Sequence, residues 1–163
     1  MSERVTAAIA VGSNLGDRER NLKRAQSLLE KTSGVVLLRR SSWHETEPVG
    51  GPSDQGPFLN GVFLVETTLA AAALLEELHR IEIKLGRERA NELHHGPRTM
   101  DLDLLWHGTT SSARPDLTLP HHGLEERRFV LAPLAEILPE HILPGCGRSV
   151  RERLEQLEAA ALS

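Results

Sequence analysis

A chain of 163 residues holds one domain with a substantial core, here expected to span 1–163, and leaves little room for two. A net charge of −4, with 39% hydrophobic and 26% charged residues, marks a soluble globular protein and argues against broad binding to nucleic acid or an anionic membrane. The single cysteine, Cys146, excludes an internal disulfide framework; with no membrane-length apolar run and no signal-peptide stretch over residues 1–11, the expected compartment is the cytosol.

Val5 to Val11 (VTAAIAV) reads as a buried strand closed by Gly12. Asp17 or Asn14 can cap the next segment, where Leu22, Ala25, Leu28 and Leu29 recur at helical spacing before Gly34. Val35 to Trp43 is a second strand, rich in β-branched and large apolar side chains. Residues 48–57 place three prolines and three glycines in ten positions, a loop, and Phe58 to Thr68 resumes as strand. Leu69 to Leu85 is a helix with Leu74, Leu75, Leu78, Ile81 and Leu85 on one stripe and Gly86 at its end. A polar loop over 86–98, a strand from Thr99 to Trp106 and a loop region over 107–128 follow. Ser149 to Glu152 is a capping box that opens a helix to about Ala160. The order through residue 106 is β-α-β-β-α-β, the ferredoxin-like α+β arrangement, an antiparallel sheet with helices on one face.

The sharpest chemical feature is Asp101-Leu102-Asp103. Strand alternation points Met100, Leu102, Leu104 and Trp106 one way and both aspartates the other, with the two Asp Cα atoms about 7 Å apart. Two hard carboxylates at that spacing suit Mg²⁺, which takes one or two protein carboxylates and leaves positions for water and phosphate. A polar strand face that is merely solvated accounts for the same pattern. Arg87, Arg89 and Arg98 flank the dyad in sequence, Arg127 and Arg128 follow the second loop, and only three of the 19 basic residues are lysine. Such arginines serve either as partners of the aspartates or as a cradle for polyphosphate, whose charge must be neutralised from several sides. The pairs His94-His95 and His121-His122 lack zinc-site spacing, and GSNLG (12–16) lacks the P-loop lysine. Phe58 and Asn60 fall on one strand face after the loop, where they can stack on and hydrogen-bond a flat ring; a core role for Phe58 is equally open.

HHGPRTMDLDLL (94–105) resembles the signature of the 6-hydroxymethyl-7,8-dihydropterin pyrophosphokinase family. AVGSNLGD (10–17), ETEPVGGPSDQGPFLNGV (45–62), HRIEIKLGRER (79–89) and LTLPHHGLEERRFVLAPLAEILPE (117–140) extend the resemblance over most of the chain. The resemblance implies a sheet flanked by helices in three α-β-α layers, with further C-terminal strands and a helix. It also implies transfer of diphosphate from ATP to the pterin hydroxymethyl group, releasing AMP, in folate biosynthesis, by a cytoplasmic enzyme that is a monomer. Asp101 and Asp103 would hold two Mg²⁺ ions, with Arg87 and Arg98 as the other catalytic residues. The pterin would sit between Phe58 and Phe129, read by Asn60 and by Thr46, Pro48 and Val49, with Gly12 allowing close approach. ATP would contact Glu82, Arg87, Arg89, Arg98, Leu104, Thr118, His121 and Arg127. Phe58 and His122 stand where the family often has tyrosine, Glu47 where it often has a second proline, His95 where tryptophan is frequent, and Asp116 where a basic residue is sometimes found. An RNA-recognition module would need sheet aromatics and a basic surface that are missing here. A metal-dependent phosphohydrolase using Asp101, Asp103 and the histidines is the other reading.

Overall fold

β1 (Val5–Ser13) is apolar on both faces, so it belongs inside a structure covered from two sides. In a computed structural model, which describes residues 3–46, 57–86 and 100–162, it is the strand between β4 and β5. The sheet runs β2 (Val35–Arg40), β4 (Phe58–Thr67), β1, β5 (Asp101–His107), and a short β3 (His44–Thr46) also pairs with β4. All these pairings are antiparallel. α1 (Arg18–Glu30) starts at Asp17, whose carboxylate accepts the Arg20 backbone N–H at 3.1 Å. With α2 (Ala71–Lys84) it covers the face formed by Ala7, Ile9, Val11, Phe63 and Val65.

The opposite face of the sheet is also covered. Ala8, Val62, Leu64, Leu105 and Trp106 pack against α3 (Arg128–Ile137) and α4 (Val150–Leu162). The molecule therefore has three layers, and the one-face arrangement expected of the β-α-β-β-α-β core is completed by a second helical layer. The expected loop over 107–128 contains a hairpin, β6 (Ser112–Arg114) and β7 (Leu117–Leu119). Among the described residues no helix is long and apolar enough to cross a membrane.

Three local expectations change. The strand expected from Val35 to Trp43 ends at Arg40 as β2, and a separate strand, β3, starts just beyond it at His44; Ser41 between them is bonded to β4, its N–H donating to Val62 O at 3.0 Å. α3 was not legible because Pro133 interrupts its pattern. A helix-interior proline costs about 3 kcal/mol, but Val130, Leu131, Leu134 and Ile137 are buried, each at roughly 1.5–3 kcal/mol, so burial wins. Trp106 does not share a face with Leu102 and Leu104. The register opposite β1 slips between Ala8, which faces Trp106, and Ile9, which faces Leu104, leaving Leu105 as an extra residue and turning Trp106 toward α3.

Gly61 in β4 lies under the Trp43 indole, and a Cβ added there would come within 2.7 Å of two ring carbons. Trp43 is itself held edge-on to Phe63 at 6.1 Å and covered by the Arg40 guanidinium at 4.5 Å. Gly61→Ala should therefore destabilise by about 1–3 kcal/mol, more than the 0.4–1 kcal/mol gained by restricting the unfolded chain. Urea denaturation checks this, and an unchanged or higher midpoint would contradict the packing.

Candidate active site

Beyond the ends of the covering helices the sheet changes character. One rung across four strands carries Asp101 on β5, Gly12 on β1, Asn60 on β4 and His44 on β3. Two strand spacings separate Asp101 from Asn60, about 10 Å between Cα atoms. Alternation puts Asp103, opposite Ala10, and Phe58, opposite Thr46, on the same face as that rung. This is the α3 side of the sheet. Gly12 is small for a reason: a Cβ there would lie 2.7 Å from Asn60 Oδ1 and 3.6 Å from the Phe58 ring. Asn60 is buried, and its Nδ2 donates to Thr46 Oγ1. Phe58 is half-buried and belongs to neither core cluster, so its ring borders the site rather than filling the interior.

Asp101 and Asp103 are both half-buried. The backbone between them is pinned from α2, where the buried Glu82 accepts the Leu102 N–H through Oε2 at 2.8 Å. Leu104 contributes its side chain to the core. Two oxygen-donor carboxylates on one strand face fit Mg²⁺, because the remaining coordination positions are left to phosphate oxygens and water. Among the described residues, which include His121 and His122 but not His94 and His95, no group of three or more His, Cys, Asp and Glu side chains is placed to hold a metal ion.

The hairpin and the segment after it close the other side. His121 donates its N–H to Leu105 O at 2.8 Å, the carbonyl of the extra residue in β5, so the bulge docks this segment along the sheet. His121 Nδ1 accepts the Gly123 N–H at 3.0 Å and its ring stacks on His122 at 4.6 Å. That bond assigns the proton of the neutral ring to Nε2. Burial, then His122, then Arg127 push the His121 pKa down from 6.5 to about 4, against the opposing pull of Asp101. Arg127, the residue before α3, passes over the Phe129 ring at 5.7 Å. Phe129 packs partly against the second core cluster. Thr118 on β7 donates to Arg114 O at 3.0 Å, and Asp116 pairs with Arg114 at 2.7 Å.

The structure thus gathers Gly12, Thr46, Phe58, Asn60, Asp101 and Asp103 on one sheet face, with His121 near Asp101 and Arg127 beside Phe129. Glu47, Pro48, Val49, Arg87, Arg89, His94, His95 and Arg98 lie outside the described residues. The sequence reading missed Glu136 on α3, which takes the His44 Nε2 and the Ser42 hydroxyl, the latter at 2.7 Å, at one oxygen and the Ser42 N–H at 3.1 Å at the other. The residues are more than 90 apart in the chain, and no local pattern links them.

Between pH 6.5 and about 4 the unfolded chain's histidine binds a proton that folded His121 refuses. This contribution to stability is complete above pH 6.5 and is lost as the pH falls toward 4. In metal-free buffer, the denaturation midpoint of His121→Asn should vary less with pH across that window than that of the wild type. An identical pH dependence would contradict a half-buried neutral imidazole.

A sequence model of the 7,8-dihydro-6-hydroxymethylpterin-pyrophosphokinase (HPPK) family matches residues 8–139. The chain is 47% identical over 131 residues to the 2-amino-4-hydroxy-6-hydroxymethyldihydropteridine pyrophosphokinase of Bacillus subtilis, covering 80% of this chain and 77% of that one. It is 39% identical over 140 residues to the enzyme of the same name from Haemophilus influenzae, covering 86% of each. Its fold is similar to that of Plasmodium falciparum HPPK-DHPS crystallised with pterin and p-hydroxybenzoate, with a TM-score of 0.73 and 15% identity over 94% of this chain, which spans 42% of that longer one. The chain belongs to the HPPK family, the ATP-using pyrophosphokinases of folate biosynthesis.

Proposed function

We propose that the Asp101–Gly12–Asn60 rung is the floor of the active site, with the polyphosphate at its aspartate end and the reduced pterin at its asparagine end. The observation that supports this most directly is the sheet face itself: Asp101 and the buried Asn60 amide lie on one rung, Asp103 faces the same way opposite Ala10, and the glycine between the strands lets Asn60 Oδ1 and the Phe58 ring lie close over β1. The 6-hydroxymethyl oxygen of the pterin attacks the β-phosphorus of ATP in line, the bond from that phosphorus to the α–β bridging oxygen breaks, and AMP leaves. The hydroxyl proton passes to solvent, since no side chain is assigned as an obligatory base.

Asp101 and Asp103 are the residues that would hold two Mg²⁺ ions, and the bound metal supplies neutralisation of the polyphosphate charge. Phe58 and Phe129 take the two faces of the pterin, Asn60 and Thr46 read its edge, and Gly12 admits it close to the sheet. His121 offers its Nε2–H to a phosphate oxygen as a neutral donor, and Arg127 adds a fixed positive charge. Thr118 and Glu82 belong to the ATP side, Glu82 by holding β5 in place, and Leu104 meets ATP through its backbone. Arg87, Arg89 and Arg98 complete the phosphate contacts, and Pro48 and Val49 the pterin contacts, on the strength of the sequence alone. Catalysis then consists of alignment and charge neutralisation. Residues 1–163 act as one catalytic domain, a cytosolic monomer.

The defining assay mixes protein, ATP, Mg²⁺ and 6-hydroxymethyl-7,8-dihydropterin. AMP should form only with pterin present, whereas ADP or phosphate released regardless of pterin would point to a hydrolase. Asp101→Ala and Asp103→Ala should each lower AMP formation by at least about 10²-fold with the melting temperature nearly unchanged. Turnover near the wild-type rate in either variant would sink the metal assignment. Phe129→Ala removes one face of the aromatic slot and should weaken pterin binding by about tenfold or more in calorimetry, with ATP affinity little altered. Equal losses for both ligands would contradict that role.

A further inference from the structure

Three consecutive residues of β3 are tied to three different elements. His44 Nε2 meets Glu136 of α3. Glu45 accepts a bond at 3.0 Å from Nη1 of Arg18, the first residue of α1, and the same Nη1 donates to Pro57 O at 2.9 Å. Thr46 Oγ1 accepts from Asn60. Alternation explains the division: His44 and Thr46 face α3 and the site, and Glu45 faces α1. A three-residue edge strand has a short ladder, so these side-chain ties set where it lies.

Glu136 holds the most contacts of the set. Its carboxylate receives the Ser42 N–H, the Ser42 hydroxyl and His44, and the neighbouring Ile137 carbonyl receives Arg39 Nη1 at 2.6 Å. Ser, His and Glu together suggest a nucleophilic triad, but the geometry excludes one. Ser42 Oγ lies 3.4 Å from the same ring nitrogen that meets Glu136, so the imidazole cannot relay a proton from one to the other. Burial raises the Glu136 pKa, but the bonds from His44 and Ser42 outweigh it and hold the group below the usual carboxylate range. At neutral pH Glu136 is an ionised acceptor.

The location gives the cluster its consequence. Phe129 and Glu136 are both on α3, seven residues or about 10 Å apart along its axis. Phe58, Asn60 and Thr46 are on β3 and β4. The Glu136 contacts are thus a direct polar tie between the helix that carries one wall of the aromatic slot and the strands that carry the other.

We infer that Glu136, through Ser42 and His44, is a positioning residue that sets the width of the slot between Phe129 and Phe58, and so the affinity for a flat pterin ring. The inference rests on the proposed placement of the pterin between those two rings. It assigns Glu136 no contact with either substrate, so its loss acts on pterin affinity and leaves the transfer step alone.

The test uses the full chain and steady-state kinetics with each substrate varied in turn. Glu136→Ala should raise KM for the pterin about three- to tenfold, with kcat and the KM for ATP within twofold of wild type. His44→Ala should move the same constant in the same direction, and His44→Gln, which retains a donor toward Glu136, should restore it. Should Glu136→Ala fold poorly, Glu136→Gln and the His44 pair supply the same comparison. An unchanged pterin KM in folded variants, or a parallel loss in both KM values and kcat, would overturn the inference. Phe129→Ala separates the two levels. If it leaves pterin affinity intact, the slot itself is wrong and the clamp falls with it. If it weakens pterin binding while the Glu136 and His44 variants do not, the slot stands and only the clamp is refuted.

Discussion

Everything in this protein is arranged around a strand that has no solvent face. β1 is hydrogen-bonded on both edges and packed on both sides, with Ala7, Ala8 and Ile9 fully buried. Alanine at two of its positions, Ala8 and Ala10, lets the α3–α4 layer approach one side while Ala7, Ile9 and Val11 face the other. Such a strand can carry polar neighbours only where the helices stop covering it. That point is reached at Gly12, and the first rung beyond the core holds an aspartate on one flank and an asparagine on the other. The site is therefore not attached to the fold; it begins where the two-sided burial of β1 ends.

The same constraint governs the carboxylates. Charged groups are costly to bury without partners, and β5 runs from its two half-buried aspartates into the buried Leu104, Leu105 and Trp106 within seven residues. Glu82 fixes its backbone between the two aspartates, and pairing with β1 fixes the other edge. In the proposed site, a pair held in this way would receive a cation and phosphates with little rearrangement, the form of catalysis that relies on prior alignment.

The walls of the proposed site come from separate layers. The sheet supplies Asp101, Asp103, Asn60 and Phe58; the segment after β7 supplies His121; α3 supplies Phe129, with Arg127 just before it. Each depends on a non-local contact. His121 is docked by a carbonyl that the β5 bulge exposes, and α3 is tied to β3 by Glu136.

Periodicity alone located β1, α1, α2, β4 and β5, because each carries a long apolar pattern whose period matches its geometry. It also placed Asp101 and Asp103 on one face, since alternation holds over so short a span. The motif from residue 94 to 105 carried the family. What the pattern could not carry was whatever depends on a partner distant in sequence. The fate of Trp106 was decided by a bulge set by pairing with β1, α3 by burial strong enough to override Pro133, and β3 by Arg18, Asn60 and Glu136. Local propensities are worth tenths of a kcal/mol per residue, whereas these contacts each involve larger energies between distant segments, and they exist only once the chain has folded.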